Sequence, residues 1–256
     1  MRTVEIGPEA LGRGSLILVT PEHPLTSEPK PEELVLAAAG NSEIQMNQTA
    51  AALFGHLLRR VQSGNRILAA SGYRTFEEQK RIWEETLEKD GLEFTKKYVA
   101  KPGHSEHQTG LAVDLAENQG EIDPVCPAFP RSGICQKFRR LAPLFGYIER
   151  YLPGKETVTG IGAEPWHFRY VGFPHSVLIT EKNMVLEEYM EYLREKTRNG
   201  HPLVFPNGRQ QIEIFYIEPE QDGYAHAKLP ENAPYLVSGT NTGGLVVSLW
   251  RNSHDQ

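Results

Sequence analysis

Two imidazoles and a carboxylate that could hold a divalent metal, with a further carboxylate beside them, fall in two short runs of this 256-residue chain. The first is His104-Ser105-Glu106-His107-Gln108-Thr109-Gly110-Leu111-Ala112-Val113-Asp114, and the second is Glu164-Pro165-Trp166-His167. A catalytic zinc takes three protein ligands and keeps its fourth position for water or substrate. His107, Asp114 and His167 meet that count. An ion held in this way lowers the pKa of a water from about 16 to about 7, which gives a nucleophile at neutral pH. A general base must lie within hydrogen-bond reach of that water. Glu164, just ahead of His167 and followed by Pro165, can sit beside the ion without binding it. Attack on a peptide carbonyl develops an oxyanion that needs a donor or a cation. Arg74 is the candidate, because its guanidinium can also grip a carboxylate through two parallel N–H donors.

Each of these residues has a plainer reading as well. Asp114 can cap a turn, Arg74 can pair with a surface glutamate, and Glu164 can be solvated. His104 is spaced from His107 like a second ligand on a helix, but Pro102-Gly103 just upstream argues for a loop. His23, His56, His175, His201, His226 and His254 read as ordinary surface or core residues. Spacing alone leaves both readings open.

The site residues need elements to hold them. The apolar run at 67–70 reads as a strand that delivers Ser71-Gly72-Tyr73-Arg74, and Thr75 with Glu78 forms a capping box for a helix over 76–89. Phe76, Gln79 and Trp83 fall near one face of that helix, so Arg74 and Gln79 reach the same side of the junction. A turn at Asp90-Gly91 precedes a short helix near 94–99. Residues 111–115 read as a buried strand that ends at the candidate ligand Asp114. Residues 118–133, with Pro124, Pro127 and Pro130, form a loop placed to wall the site. Next come a helix over 136–145 with Phe138, Leu141 and Leu144 inward, and a strand over 147–151. In a further strand over 164–171, His167, Arg169 and Val171 share one face. A long helix over 179–197 stops at Asn199-Gly200.

Upstream, residues 15–20 read as a buried strand and 21–31 as a polar connection. A helix over 45–61 turns Met46, Ala50, Leu53, Leu57 and Leu58 to the core. Beyond Gly200 the pattern changes to strands at 211–217, 235–238 and 245–250, a small antiparallel sheet with no acid–base or metal cluster.

Composition narrows the classes. Hydrophobic residues make up 39% and charged residues 23%, as in ordinary soluble proteins. The net charge of −6 argues against nucleic acid or an anionic membrane as partner, so an anionic substrate must be met by local basic groups. The first residues lack a secretory signal, and the apolar run from Leu16 to Val19 is far too short for a membrane span. The expected location is the cytoplasm, with Cys126 and Cys135 as free thiols. Nothing in the composition sets an oligomeric state.

Three co-linear motifs resemble the zinc D-alanyl-D-alanine carboxypeptidases of the VanY type. They are Ser71-Gly72-Tyr73-Arg74, the run from Ser105 to Asp114, and Glu164-Pro165-Trp166-His167-Phe168-Arg169-Tyr170-Val171-Gly172, with Gly146-Tyr147-Ile148-Glu149-Arg150-Tyr151 between them. The likeness spans roughly residues 65–172. Carried over by position, it implies one Zn2+ ion on His107, Asp114 and His167, Glu164 as catalytic base, and Arg74 at the oxyanion or substrate. It also implies that Gln79 and Ser105 contact the terminal D-Ala of a small peptide substrate.

The fold it implies is α+β, a compact zinc D,D-peptidase domain with a small antiparallel sheet and packed helices, expected over residues 1–200. Residues 201–256 are expected as a β-rich extension. Without a visible export signal or anchor, the chain resembles the cytoplasmic VanXY branch, which combines D,D-carboxypeptidase and D,D-dipeptidase activity in glycopeptide-resistant bacteria. The alternatives are an L,D-carboxypeptidase or endolysin-like peptidase on the same scaffold, and a non-catalytic zinc-containing module that binds cell-wall peptide.

Overall fold

The computed structural model describes residues 1–37, 44–123, 125–197 and 200–252. Along the chain run β1 (Arg2–Ile6), β2 (Leu34–Leu36), β3 (Gln45–Asn47), α1 (Gln48–Val61), β4 (Ile67–Ser71), α2 (Phe76–Tyr98) and β5 (Ala112–Glu117). They continue with α3 (Gly133–Leu141), β6 (Tyr147–Tyr151), α4 (Glu156–Thr159), β7 (Glu164–Tyr170), α5 (His175–Glu181) and α6 (Leu186–Thr197). The last strands are β8 (Leu203–Asn207), β9 (Gln210–Ile217), β10 (Ala225–Leu229), β11 (Tyr235–Gly239) and β12 (Leu245–Asn252). Antiparallel sheets and packed helices make this an α+β fold. The chain divides into two compact units, residues 19–185 and residues 1–18 with 186–256.

In the unit of residues 19–185, a four-stranded antiparallel sheet has the order β4-β5-β7-β6. Alternation along β7 sends Phe168 to one face and His167 and Arg169 to the other. On its face Phe168 meets Phe138 of α3 edge-on at 5.0 Å and Phe129 at 5.6 Å, and Phe54 of α1 closes on Phe138 at 6.1 Å. Such edge-to-face pairs contribute about 0.5–1.5 kcal/mol each beyond the area they bury. The aromatic core therefore anchors the sheet from behind and leaves the opposite face for polar side chains.

Local chemistry explains where several elements begin and end. Asn47 caps α1, its Oδ1 accepting from the backbone N–H groups of Thr49 and Ala50. Residues 45–47, expected within this helix, instead pair with β2 as β3, and the buried face presents Phe54 where Leu53 was expected. The capping box of Thr75 and Glu78 opens α2, and the two helices expected across Asp90-Gly91 join at a kink where Gly91 has φ 81°.

Three expectations fail for identifiable reasons. The run at 15–20 is buried but forms no strand. The N–H of Leu16 donates to Ser238 Oγ and that of Leu18 to Thr240 O, so burial there comes without a ladder. The helix expected to 145 tightens after Leu141 into a 3-10 turn containing Pro143, which leaves Leu144 59% exposed. The helix expected over 179–197 is broken into α5 and α6, with Asn183 in the left-handed region at φ 51°. The expected stop residue Asn199, together with Pro124 and His254, lies outside the described residues.

The second unit holds a sheet of order β11-β12-β9-β8 and the pair β1-β10. Ile6, Ala225, Ala227, Leu229, Leu245, Val247 and Leu249 form its core. The alternation Ala225, Ala227, Leu229 with His226 and Lys228 between them is a half-buried strand that a search for longer apolar runs passes over.

One buried histidine outside the metal cluster sets a pH dependence. Burial pushes the His175 imidazole down to about 3. The unfolded chain therefore takes up this proton first as pH falls through about 6.5, so the contribution is present above that value and lost below it. Between pH 7.5 and 5.5, the stability advantage of the wild type over His175→Gln should shrink by about 1.4 kcal/mol. Urea unfolding at the two pH values reads the difference, and a pH-independent gap would contradict it.

Candidate metal centre

Strand register brings the site together. Ser71 of β4 lies opposite Asp114 of β5, and Asp114 lies opposite His167 of β7, so the three form one row across adjacent strands. His107 arrives from a 3-10 turn over Glu106–Thr109 that ends at Gly110. Gly110 has φ 70°, and a Cβ there would fall 3.0 Å from the Asn47 backbone nitrogen, which donates to Gly110 O. Only glycine meets both demands.

The tautomer of His107 follows from its neighbour. Its Nδ1 lies 2.7 Å from the carbonyl oxygen of Gly72, which can only accept, so Nδ1 carries the proton and Nε2 keeps its lone pair. Gly72 is itself held close to β3, where a Cβ would fall 2.5 Å from Gln45 O. His107 Nε2 then lies 3.1 Å from Asp114 Oδ2, and His167 Nδ1 lies 3.0 Å from Asp114 Oδ1. The two rings meet at 86° with centroids 4.9 Å apart.

This donor set fits a metal ion. One ligand atom from each of His107, Asp114 and His167 lies within 4.8 Å of the others, and all three residues are buried. Ligand bonds of about 2.0–2.2 Å in a tetrahedron place donor atoms about 3.3 Å apart, close to the separations seen. Among the described residues Asp114 Oδ1 has no hydrogen-bond partner although it is buried, an acceptor that a cation would satisfy.

The charges around the cluster are uneven. Burial would raise the Asp114 carboxyl, but His107 and His167 outweigh it and hold the group well below the usual carboxylate range. Burial pushes His107 below its ordinary value, and the nearby Arg74 cation adds to the effect. Burial also works against a charged His167, yet the close Asp114 and Glu106 carboxylates push it up to about 9.

Arg74 is fixed by all three parts of its guanidinium. Nε donates to Ser71 Oγ, Nη1 to Gln79 Oε1 and Nη2 to Asp114 Oδ2, each at 3.0 Å. The other end of the Gln79 amide donates to Ala100 O at 2.7 Å. Glu164 begins β7, with Oε2 3.6 Å from His167 Nδ1, and burial pushes its carboxyl up to about 8. Arg74, Gln79, Ser105 and Glu164 line one small cleft of about 40 Å³ with the three metal-type residues. His104 turns elsewhere, its Nδ1 2.8 Å from Thr20 O.

Sequence reasoning passed over a buried charge cluster behind the site. Glu106 Oε1 lies 2.8 Å from both Arg150 Nε and Arg169 Nη1, while its Oε2 faces His167 Nε2 at 3.4 Å. Burial alone would raise Glu106, but the two guanidiniums and His167 hold it ionised. A carboxylate behind a ligating imidazole orients the ring and raises its basicity. The signal was present: Arg169 shares the His167 face of β7, and Glu106 precedes His107.

A second missed residue is Arg139 of α3. It donates to the carbonyls of Phe129, Pro130 and Pro165, each at 2.6 Å, and pairs with Glu149 at 2.8 Å. It thus ties the residue after Glu164 to the wall loop. Both cysteines are free thiols, and among the described residues no helix is long and apolar enough to cross a membrane.

Comparison with known proteins places this geometry. Residues 43–173 match the family described as VanY, D-alanyl-D-alanine carboxypeptidase. The bifunctional D-Ala-D-Ala dipeptidase and D-Ala-D-Ala carboxypeptidase VanXYC of Enterococcus gallinarum is 41% identical over 185 residues, covering 72% of this chain and 97% of that protein. The solved structure of the vancomycin resistance D,D-dipeptidase VanXYg, in complex with a D-Ala-D-Ala phosphinate analogue, superposes with a TM-score of 0.93 at 42% identity, covering 98% of this chain and 99% of that one. A D,D-pentapeptidase VanY from a VanB-type resistance cassette, in complex with Zn(II), is 30% identical with a TM-score of 0.53, covering 69% of this chain and 98% of its own.

Proposed function

Because this chain belongs to the VanY family of D-alanyl-D-alanine carboxypeptidases, we propose that it hydrolyses the peptide bond before a C-terminal D-Ala in peptidoglycan precursors. It acts on the D-Ala-D-Ala dipeptide as well, in the manner of VanXY-type enzymes of vancomycin resistance. The observation that carries the reading is the single register row of Ser71, Asp114 and His167, with His107 and Arg74 converging on Asp114.

In this reading His107, Asp114 and His167 hold one Zn2+ ion. The ion, when bound, supplies a Lewis acid that brings the pKa of a water near neutrality. Glu164, whose ionised form a bound cation would favour, takes the proton of the attacking water and hands it to the departing amine of D-Ala. Arg74 meets the negative charge that develops on the carbonyl oxygen, and its three fixed donors keep it in place before substrate arrives. Ser105 and Gln79 face the terminal D-Ala, Gln79 also orienting Arg74. The likeness to VanXYC and VanXYg favours a cytoplasmic enzyme that meets soluble precursors.

The test is D-Ala release by the zinc-loaded protein. A pentapeptide ending in D-Ala-D-Ala should be cleaved and a tetrapeptide left intact, with activity lost to a chelator and restored by zinc. Release from the tetrapeptide would instead assign an L,D-carboxypeptidase, and binding without release a non-catalytic module. Ser71-Gly72-Tyr73-Arg74 offers no carboxylate for the free ammonium of a dipeptide. We therefore expect a higher kcat/KM for the pentapeptide than for D-Ala-D-Ala, measured on one preparation.

A further inference from the structure

Glu164 stands at a break in the ladder between β6 and β7. Their register runs from Tyr147–Tyr170 to Glu149–Phe168 and then jumps to Tyr151–Glu164, so residues 165–167 of β7 stand against Arg150 alone. Such a bulge bends a strand and re-aims its side chains, at the cost of ladder hydrogen bonds. Pro165, inside the break, has no N–H to offer and a carbonyl whose donor must come from elsewhere.

That donor comes from the helix behind the sheet. Arg139 of α3 is 8% exposed, and its Nη2 donates at 2.6 Å to both Pro165 O and Phe129 O, while Nη1 donates to Pro130 O at 2.6 Å. Two further contacts aim the fork. Nε donates at 2.8 Å to Oε2 of Glu149, the last β6 residue before the break, and the guanidinium carbon lies 4.7 Å from the centre of the Phe129 ring. Glu149 is held in turn by Arg131. One guanidinium therefore joins both sides of the break to residues 129–130, toward the end of the loop whose Val125 lines the cleft with Glu164 and Trp166. A lysine, a point charge on a flexible stem, cannot make these contacts together.

We propose that Arg139 is a positioning residue for the general base: by closing the break at Pro165, it sets where the Glu164 carboxylate stands beside His167. The proposal rests on the D,D-peptidase reading, in which Glu164 moves the proton. Arg139 itself does not line the cleft. Its effect is exerted through Glu164, and a shift of about 1 Å in such a group can cost about 100-fold in rate.

The experiment crosses Arg139→Met with Glu164→Gln in the zinc-loaded protein. It follows D-Ala release from a pentapeptide ending in D-Ala-D-Ala, in single turnover for the slow variants. Arg139→Met should keep the zinc content of the wild type and a KM within about threefold, and lose about 10–100-fold in kcat. In the Glu164→Gln background the same substitution should cost less than about threefold, because the group it positions is already gone. Arg139→Lys, which keeps a cation for Glu149, should recover only part of kcat, and it repeats the comparison if the methionine variant does not fold. An equal loss in both backgrounds, or a rise in KM with kcat unchanged, would reduce Arg139 to a packing tie and overturn the proposal while leaving the D,D-peptidase reading intact. Failure of the wild type to release D-Ala would overturn the reading itself.

Discussion

Glu164→Gln is expected to bind one zinc ion per chain and to release D-Ala from a pentapeptide 10²–10⁴ times more slowly than the wild type. The argument is geometric. His107, Asp114 and His167 form the compact donor group, and Glu164 stands beside it, its Oε2 3.6 Å from the ring nitrogen that faces Asp114. The amide keeps the volume and one oxygen of the carboxylate, so the start of β7 and its pairing with Tyr151 have no reason to shift. It cannot take a proton at neutral pH. His167→Ala should behave differently, losing metal and activity together. Metal analysis on dialysed protein, paired with single-turnover D-Ala release, separates the two. Turnover within tenfold of wild type in the zinc-loaded Glu164→Gln protein would remove Glu164 from the proton path.

The placement of Asp114 and His167 on definite strand faces was legible in residue spacing, and the reason is strand geometry. Asp114 lies in a short apolar strand and His167 at an alternate position of another, and period-two alternation puts each on a definite face. Register then made them neighbours, which the sequence implied only through the family resemblance. Glu106 was passed over for the opposite reason. A carboxylate between a serine and a histidine in a polar run looks solvated, and its partners Arg150 and Arg169 come from two other strands.

The same distance in sequence hid β1, whose ladder is with β10 toward the other end of the chain. Burial without a ladder misled at Leu16 and Leu18, because an apolar run records removal from water and not hydrogen-bond pattern. The break at Asn183 had no strong signal, since asparagine enters the left-handed region more easily than most residues but no glycine or proline marks the position.

Glu106→Gln tests how far the buried cluster supports the metal centre. Arg150 and Arg169 are fully buried, and in the wild type both guanidiniums converge on one carboxylate oxygen. Replacing the anion with a neutral amide removes the negative charge on which two buried cations converge, a change expected to cost about 3–5 kcal/mol of stability. The other carboxylate oxygen faces His167 Nε2, so the ring loses the partner that orients Nδ1 toward Asp114. Zinc affinity should fall about 10–100-fold. At saturating zinc, kcat should recover much of its value, since Glu164, Arg74 and the ligand atoms are unchanged.

A double-mutant cycle with Arg169→Met distinguishes pairing from simple packing. If the charge pair is what matters, the second substitution removes one of the two converging cations, and the double variant should be more stable than the sum of the single losses allows, by about 1 kcal/mol or more. Strict additivity, with zinc affinity unchanged in Glu106→Gln, would show that the cluster stands behind the site without supporting it.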